Sequence, residues 1–334
     1  MNGVRSRRTV AVGVLLLTAL AVSFLASLFL GSVGISPGNI LKGLLGEGDP
    51  ATIAIVRQLR LPRALLGILV GGALALSGAS LQALLQNPLA DPYLLGVSGG
   101  AACGALAASL AGSGLRGVAG HFAVPAAALL GALAAVVLVG LGASVGGRLD
   151  RGRLLLSGIV VNALASAVLL FLLSYGDSAK GQTFIFWMLG SLAGATPASV
   201  AVLAVYVLLG ALCLFPLAPA FDALMLGEET AFTLGVRVES VKKVAYLAAS
   251  LLAAAAVAAA GIIGFVGLLV PHAVRMVARG HRSQLALSFL AGGTLLLGAD
   301  LVARGLFSPK EVSVGAVTAL IGAPAFLLLL RRQT

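Results

Sequence analysis

Long apolar runs recur along the whole chain, separated by short clusters of charged residues, glycines and prolines. Each is close to the roughly 20 residues a helix needs to cross the hydrocarbon core of a bilayer. Ten runs predict ten membrane helices, at 9–31, 62–85, 93–112, 119–142, 154–174, 196–215, 242–260, 262–279, 284–303 and 313–330. The eighth is the weakest. Its apolar part, 262–270, is short and ends at Pro271, which reads as a broken or half-length helix, tolerable only where protein or a cavity surrounds it. Three stretches predict something other than spanning helices. Residues 32–61 form a long outer connection. Residues 175–195 carry Phe184, Phe186 and Trp187, which suit an interfacial helix at headgroup level. Residues 216–241 form an inner loop of two short helices, punctuated by Gly227 and Gly235. The expected class is an all-α integral membrane protein of about ten transmembrane helices, one domain over 1–334.

Composition sharpens this picture. Of 334 residues 60% are apolar and 10% charged, against about 45–50% and about 25% in soluble domains. A large extramembrane catalytic domain is excluded. The net charge of +11 is topological. With the N-terminus inside, most basic residues fall on the inner side, among them Arg5, Arg7 and Arg8, Arg148, Arg151 and Arg153, Lys242 and Lys243, and Arg331 and Arg332. This predicts both termini cytoplasmic. The outer set includes Arg116, Lys180, Arg304 and a cluster, Arg57, Arg60 and Arg63, that topology does not explain. The charges are scattered, so no nucleic-acid face is expected. Cys103 and Cys213 lie in apolar runs and give no metal-ligand spacing. The first run exceeds the roughly 7–15 residues of a signal-peptide core and reads as a retained helix.

The chain lacks G-x-x-x-x-G-K-[ST], the usual loop that cradles ATP phosphates. Intramembrane ionisable groups, which an ion-coupled transporter usually shows, are scarce; Asp300 is the main one. The string Gly96-Val97-Ser98-Gly99 could hold a nucleophilic serine, but His121, His272 and His281 are placed poorly for a base. The spacings Gly67/Gly71 and Gly100/Gly104 predict close helix packing. Between 86 and 96, Pro88 and Pro92 with the turn formers Asn87 and Asp91 make a stiff corner. It reads either as a tight inner hairpin or as a constriction at the inner mouth of a pathway. In the inner loop, Leu224, Leu226, Ala231, Phe232 and Leu234 give an apolar face, with Glu228 and Glu229 at its edge. That suits a loop folded on the membrane or a docking element.

Several strings in one order, from about Arg60 to Leu330, carry a resemblance. They include Leu61-Pro62-Arg63, Asn87-Pro88-Leu89-Ala90-Asp91-Pro92, Leu154-Leu155-Leu156-Ser157-Gly158, Leu226-Gly227-Glu228-Glu229, Leu234-Gly235-Val236, Gly264-Phe265-Val266-Gly267-Leu268 with Pro271-His272, and Ala299-Asp300 with Ala303-Arg304. The chain resembles the permease subunit of the ABC importers for iron chelates, haem and cobalamin. The resemblance implies a non-enzymatic subunit of the cytoplasmic membrane that pairs with a second copy or a close homologue. It implies two cytosolic ATPase subunits that use ATP, no cofactor on this chain, and an extracytoplasmic substrate-binding protein. Arg60, Arg63 and Arg304 would meet glutamates of that protein. Asn87, Pro88 and Leu89 would form a cytoplasmic gate. Leu226, Gly227, Glu228, Glu229, Ala231, Leu234, Gly235 and Val236 would couple to the ATPase. Two departures stand out: Glu311-Val312-Ser313 where the family commonly has Glu-Leu-Pro, and Arg151-Gly152 where the cobalamin importer has small hydroxyl residues. A stand-alone secondary transporter or channel, and an intramembrane serine protease, are the alternatives from other classes.

Overall fold

The computed structural model describes residues 2–31, 33–112, 118–175, 178–305 and 310–331. Arg116 and Arg332 lie outside these, as do the side chains of Arg5, Arg7, His121 and Lys180. The first run forms α1 (Asn2–Phe29). The outer connection is not irregular. It holds α2 (Pro37–Leu45) and α3 (Pro50–Ala54), each opened by a proline whose missing N–H costs nothing there. The Asp49 carboxylate caps α3 by accepting from the Thr52 N–H at 3.1 Å.

The second run starts earlier than the pattern predicts. From α3 the chain passes through a π-helical stretch, Ile55–Arg60, into α4 (Leu61–Leu85), giving one rod from Pro50 to Leu85. Pro62 looks like a helix start because it cannot donate to the carbonyl one turn back. The wider turn, closed by the Leu61 N–H on the Val56 carbonyl, lets the helix continue through it.

The chain then forms α5 (Val97–Ala111), α6 (Val118–Ala143) and a two-residue antiparallel hairpin, β1 (Ser144–Val145) with β2 (Arg148–Leu149). Gly146 and Gly147 both take positive φ in its tight turn. Next come α7 (Arg151–Tyr175), α8 (Ser178–Met188), α9 (Pro197–Leu214), α10 (Ala218–Leu224), α11 (Glu228–Thr233), α12 (Val238–Ala260), α13 (Val266–Arg275), α14 (His281–Gly305) and α15 (Val314–Arg331). Among the described residues seven helical stretches are long and apolar enough to cross a membrane. Three shorter apolar helices, α5, α13 and α15, take the remaining places among the ten predicted runs.

The helix α4 is buried along most of its length and forms the axis of the bundle, with α14, α12 and α13 packed round it. In lipid no hydrophobic force draws helices together, so close fit must do so. A Cβ on Gly71 would stand 2.2 Å from the Gly292 carbonyl oxygen, and one on Gly100 2.3 Å from that of Gly131. The two spacings read from the sequence are thus where α4 meets α14 and where α5 meets α6. Hydroxyls add links: Ser77 donates to the Ala249 carbonyl at 2.6 Å and Tyr246 to that of Val136 at 2.7 Å.

The eighth run is half-length, but its limits differ from those expected. The chain is unwound after Gly261, Phe265 takes a left-handed φ of 68°, and only then does α13 begin. Pro271 sits inside α13 and does not end it. The Gly267 carbonyl, which Pro271 cannot serve, abuts the bare Cα of Gly78, where a Cβ would lie 1.7 Å from the oxygen. The interfacial stretch is a helix, α8, with Phe186 exposed but Phe184 buried and stacked on Trp187.

Candidate functional site

At the outer face a cavity of about 270 Å3 is lined by Arg60, Arg63, Arg304 and Glu311 among others. The three arginines expected to form a basic outer collar come together here, each with partners inside the chain. Arg60 is only 5% exposed, and its guanidinium donates to the carbonyls of Leu28 at 2.7 Å, Phe29 at 3.3 Å and Val33. These lie at or just beyond the C-terminal end of α1, where helix carbonyls lack intrahelical donors. Arg57 closes α2 in the same way, donating to the Leu44 carbonyl at 2.7 Å. Arg63 is forked between two carboxylates, 2.9 Å from Asp300 and 3.0 Å from Glu311. Asp300, fully buried one turn before Arg304, also holds that residue's Nε at 3.3 Å, while Arg304 Nη2 donates to Ser27. Three arginines and two carboxylates therefore tie α1, α4, α14 and the start of α15 together.

The departure at Glu311-Val312-Ser313 acquires a function of its own. The Ser313 hydroxyl donates to the Gly190 carbonyl at 2.9 Å and accepts from the Ala316 N–H at 3.4 Å, capping α15. A proline at this position could do neither.

At the inner end, the corner between α4 and α5 is held from all sides. Asn87 Oδ1 accepts from the Leu89 N–H at 2.9 Å, and Asp91 Oδ1 from the Tyr93 N–H at 2.7 Å. Gln82 reaches from α4 to the Leu268 carbonyl on α13 at 3.1 Å. The Tyr93 hydroxyl donates to the Ile263 carbonyl at 2.9 Å and accepts from the Ile263 N–H at 3.1 Å, which satisfies both polar groups of that unwound residue. Asn162 on α7 donates to the Tyr93 carbonyl at 3.0 Å, and His272 is bonded to the Pro88 carbonyl. Pro88 is thus pinned from α13, and Leu89, 40% exposed, is left projecting. His272 is committed to this corner, and His281 lies 2.7 Å from Asp222, so neither is arranged as a base for Ser98.

The inner loop forms the two predicted helices, α10 and α11. Gly227 and Gly235 both take positive φ at their ends, 106° and 85°, which side chains other than glycine disfavour. Ala231 faces inward and is fully buried, while Leu226 is 66%, Phe232 73% and Leu234 63% exposed. Glu229 is exposed and Val236 half-buried. Glu228, on the charged edge of the loop, is engaged within the chain: Arg151 lies 3.0 Å and Lys242 3.3 Å from its carboxylate. Lys242 also pairs with Glu239 at 2.8 Å, whose other oxygen accepts from the Leu149 N–H at 2.9 Å. The Gln86 side chain, at the left-handed end of α4, donates to the Leu224 carbonyl. The loop is therefore fastened to the corner at 86–92 and to the α6–α7 hairpin, with its apolar face left open.

A model of the FecCD transport family matches residues 19–332. The chain belongs to this family. Its FecCD relatives include a cobalamin import system permease protein of Halobacterium salinarum, 44% identical, covering 85% of this chain and 75% of the relative. The ferric enterobactin transport system permease protein of Escherichia coli is 37% identical, covering 98% of this chain and 96% of the relative. The hemin transport system permease protein of Yersinia pestis is 41% identical, covering 83% of each. A solved structure described as an inward-facing conformation of a metal-chelate type ABC transporter superposes with a TM-score of 0.85 at 32% identity, covering 96% of this chain and 99% of that one. The chain is a multi-pass membrane permease subunit of the ABC importer type.

In this FecCD permease the fastening residues are polar side chains, of which the sequence singles out Asp300 as an intramembrane carboxylate. Asp300, Gln82, Gln86, Tyr93, Asn162 and Lys242 do the fastening. Their shared signal is a polar group set in an apolar helix or at its end, where it must find a partner.

Proposed function

We propose that this permease is one half of an ATP-driven importer for a large metal chelate, a ferric siderophore or haem, or for cobalamin, in the cytoplasmic membrane. A second copy or a close homologue completes the pathway. Two cytosolic ATPase subunits bind the ATP, and an extracytoplasmic binding protein delivers the cargo. The observation that carries the reading is the open apolar face of Leu226, Phe232 and Leu234 on an element outside the bilayer. An apolar centre with a polar rim is the anatomy of a protein contact. A transporter working alone would expose these side chains to water for no gain.

Docking there gives the ATPase a handle on the pathway. A movement of α10 and α11 is passed through Gln86 to the corner at Asn87, Pro88 and Leu89, and through Glu228 and Arg151 to the first turn of α7. The corner cannot flex internally, so it shifts with its helices. Leu89 from two protomers then closes or opens the inner end, with Asn87 holding the turn that presents it. On the outer side the binding protein meets the cavity where Arg63 and Glu311 come to the surface. The test is reconstitution into liposomes with the ATPase and binding protein. Uptake of a ferric chelate, haem or cobalamin should require ATP within, on the ATPase side, and the binding protein outside. Uptake driven by a proton or sodium gradient without ATPase subunits would overturn the reading.

A further inference from the structure

The cytoplasmic end of α9 carries a groove that import does not use. At Pro216 and Pro219 the α-helical ladder is interrupted, and α9 runs on into α10 through a single 3-10 turn, Phe215–Leu217. The turn opens a groove of about 480 Å3, within the range of ligand sites, about 300–1,000 Å3. Leu208, Leu212 and Phe215 line it with the two prolines, and a single charged side chain, Arg282 of α14, joins them.

Its position fixes the kind of ligand. Leu208 and Leu212 are 60% and 63% exposed on the outside of the bundle, so this end of the groove faces acyl chains. Arg282, in the first turn of α14, marks the level of the inner headgroups. Among the described residues Arg282 makes no ion pair. Asp222, which meets the neighbouring residue, is taken up by the His281 ring at 2.7 Å and backbone N–H at 3.0 Å. Arg275 and Arg279 are exposed just before it, so the edge is basic throughout. Basic pockets between helices on the cytoplasmic side suit anionic lipid headgroups.

We propose that this groove binds one anionic phospholipid of the inner leaflet, with an acyl chain along Leu208 and Leu212 and the phosphate on Arg282. Because the groove lies at the joint between α9 and α10, the lipid braces the element that carries the docking loop.

The test reads lipid retention by the full-length permease in mild detergent, by native mass spectrometry, and is independent of transport. Phosphatidylglycerol should be retained over phosphatidylcholine. Arg282→Ala should weaken retention about fivefold, the effect of one basic residue near an anionic headgroup. Arg282→Lys should keep most of it, and Ala211→Trp, which fills the groove, should lose it with Arg282 intact. Inorganic phosphate at millimolar concentration should not displace the lipid. Equal retention of the two lipids, or unchanged retention in Arg282→Ala, would overturn the proposal. Displacement by phosphate together with no effect of Ala211→Trp would show a phosphate site without a lipid and would overturn it as well.

Discussion

At the outer end of this permease, charge faces charge. Arg63, Arg304 and Asp300 are closed on one another, and Arg60 is spent on the carbonyls that end α1. At the inner end Glu228, Gln86 and Asn87 are engaged in the same way, yet three large apolar side chains stand in the open. The outer end is built to hold itself together. The inner end leaves an apolar face open, the anatomy of a protein contact. The reason is the price of burial: an unpaired guanidinium near hydrocarbon must find oxygen within its own chain, whereas leucines at a water-facing loop are affordable only until a partner arrives.

The sharpest way to break this contrast is at Asp300. Asp300→Asn leaves Arg63 and Arg304 without their shared carboxylate, and thermal unfolding in detergent should show a loss of about 3–5 kcal/mol, as for other broken buried pairs. A variant as stable as the parent would mean the outer network is not structural. Arg60→Ala should cost less, about 1–3 kcal/mol, since it strands carbonyls and not charges. Its clearest sign should be faster proteolysis between α1 and α2, and Arg60→Lys should restore little, because one ammonium cannot replace the fork.

At the inner end the effects on stability should shrink while those on function grow. Gln86→Ala should lower stability by about 1 kcal/mol but slow transport in proteoliposomes well beyond any loss of folded protein. Retained transport would mean that the loop and the corner are not linked through this side chain. Cysteine at Leu89 should crosslink to its twin in one nucleotide state and not in the other; no crosslink in any state of an intact complex would move the corner off the axis. Phe232→Asp should leave unfolding within about 0.5 kcal/mol of the parent.

How much of this was legible follows from where each signal resides. The ten runs were plain, because a bilayer demands them. Gly71 and Gly100 could be read as packing sites, and Gly227 and Gly235 as the ends of two short helices, because their constraints are local. Pro62 and Pro271 misled, since a π turn before one and a glycine contact across α4 for the other let both sit inside helices. The bonds of Arg60 could not be read in advance because its partners are backbone carbonyls, which leave no mark on the sequence. The Glu228–Arg151 pair was hidden because Arg151 lies far back in the chain. The Arg63–Asp300 pair was half visible: the outer excess of arginine and the lone intramembrane carboxylate were both noted, and only the fold joins them.

The central claim is that the inner loop's apolar face is where the ATPase is gripped. Leu234→Asp tests it with least ambiguity, because Leu234 is exposed and its side chain takes no part in the hydrogen bonds and ion pairs named above. Purified with its ATPase partner, this variant should melt at the temperature of the parent and yet bind the ATPase at least about 30-fold more weakly, the scale of a lost hot spot. If it captures the ATPase as the parent does and imports normally, the docking face lies elsewhere and the account fails.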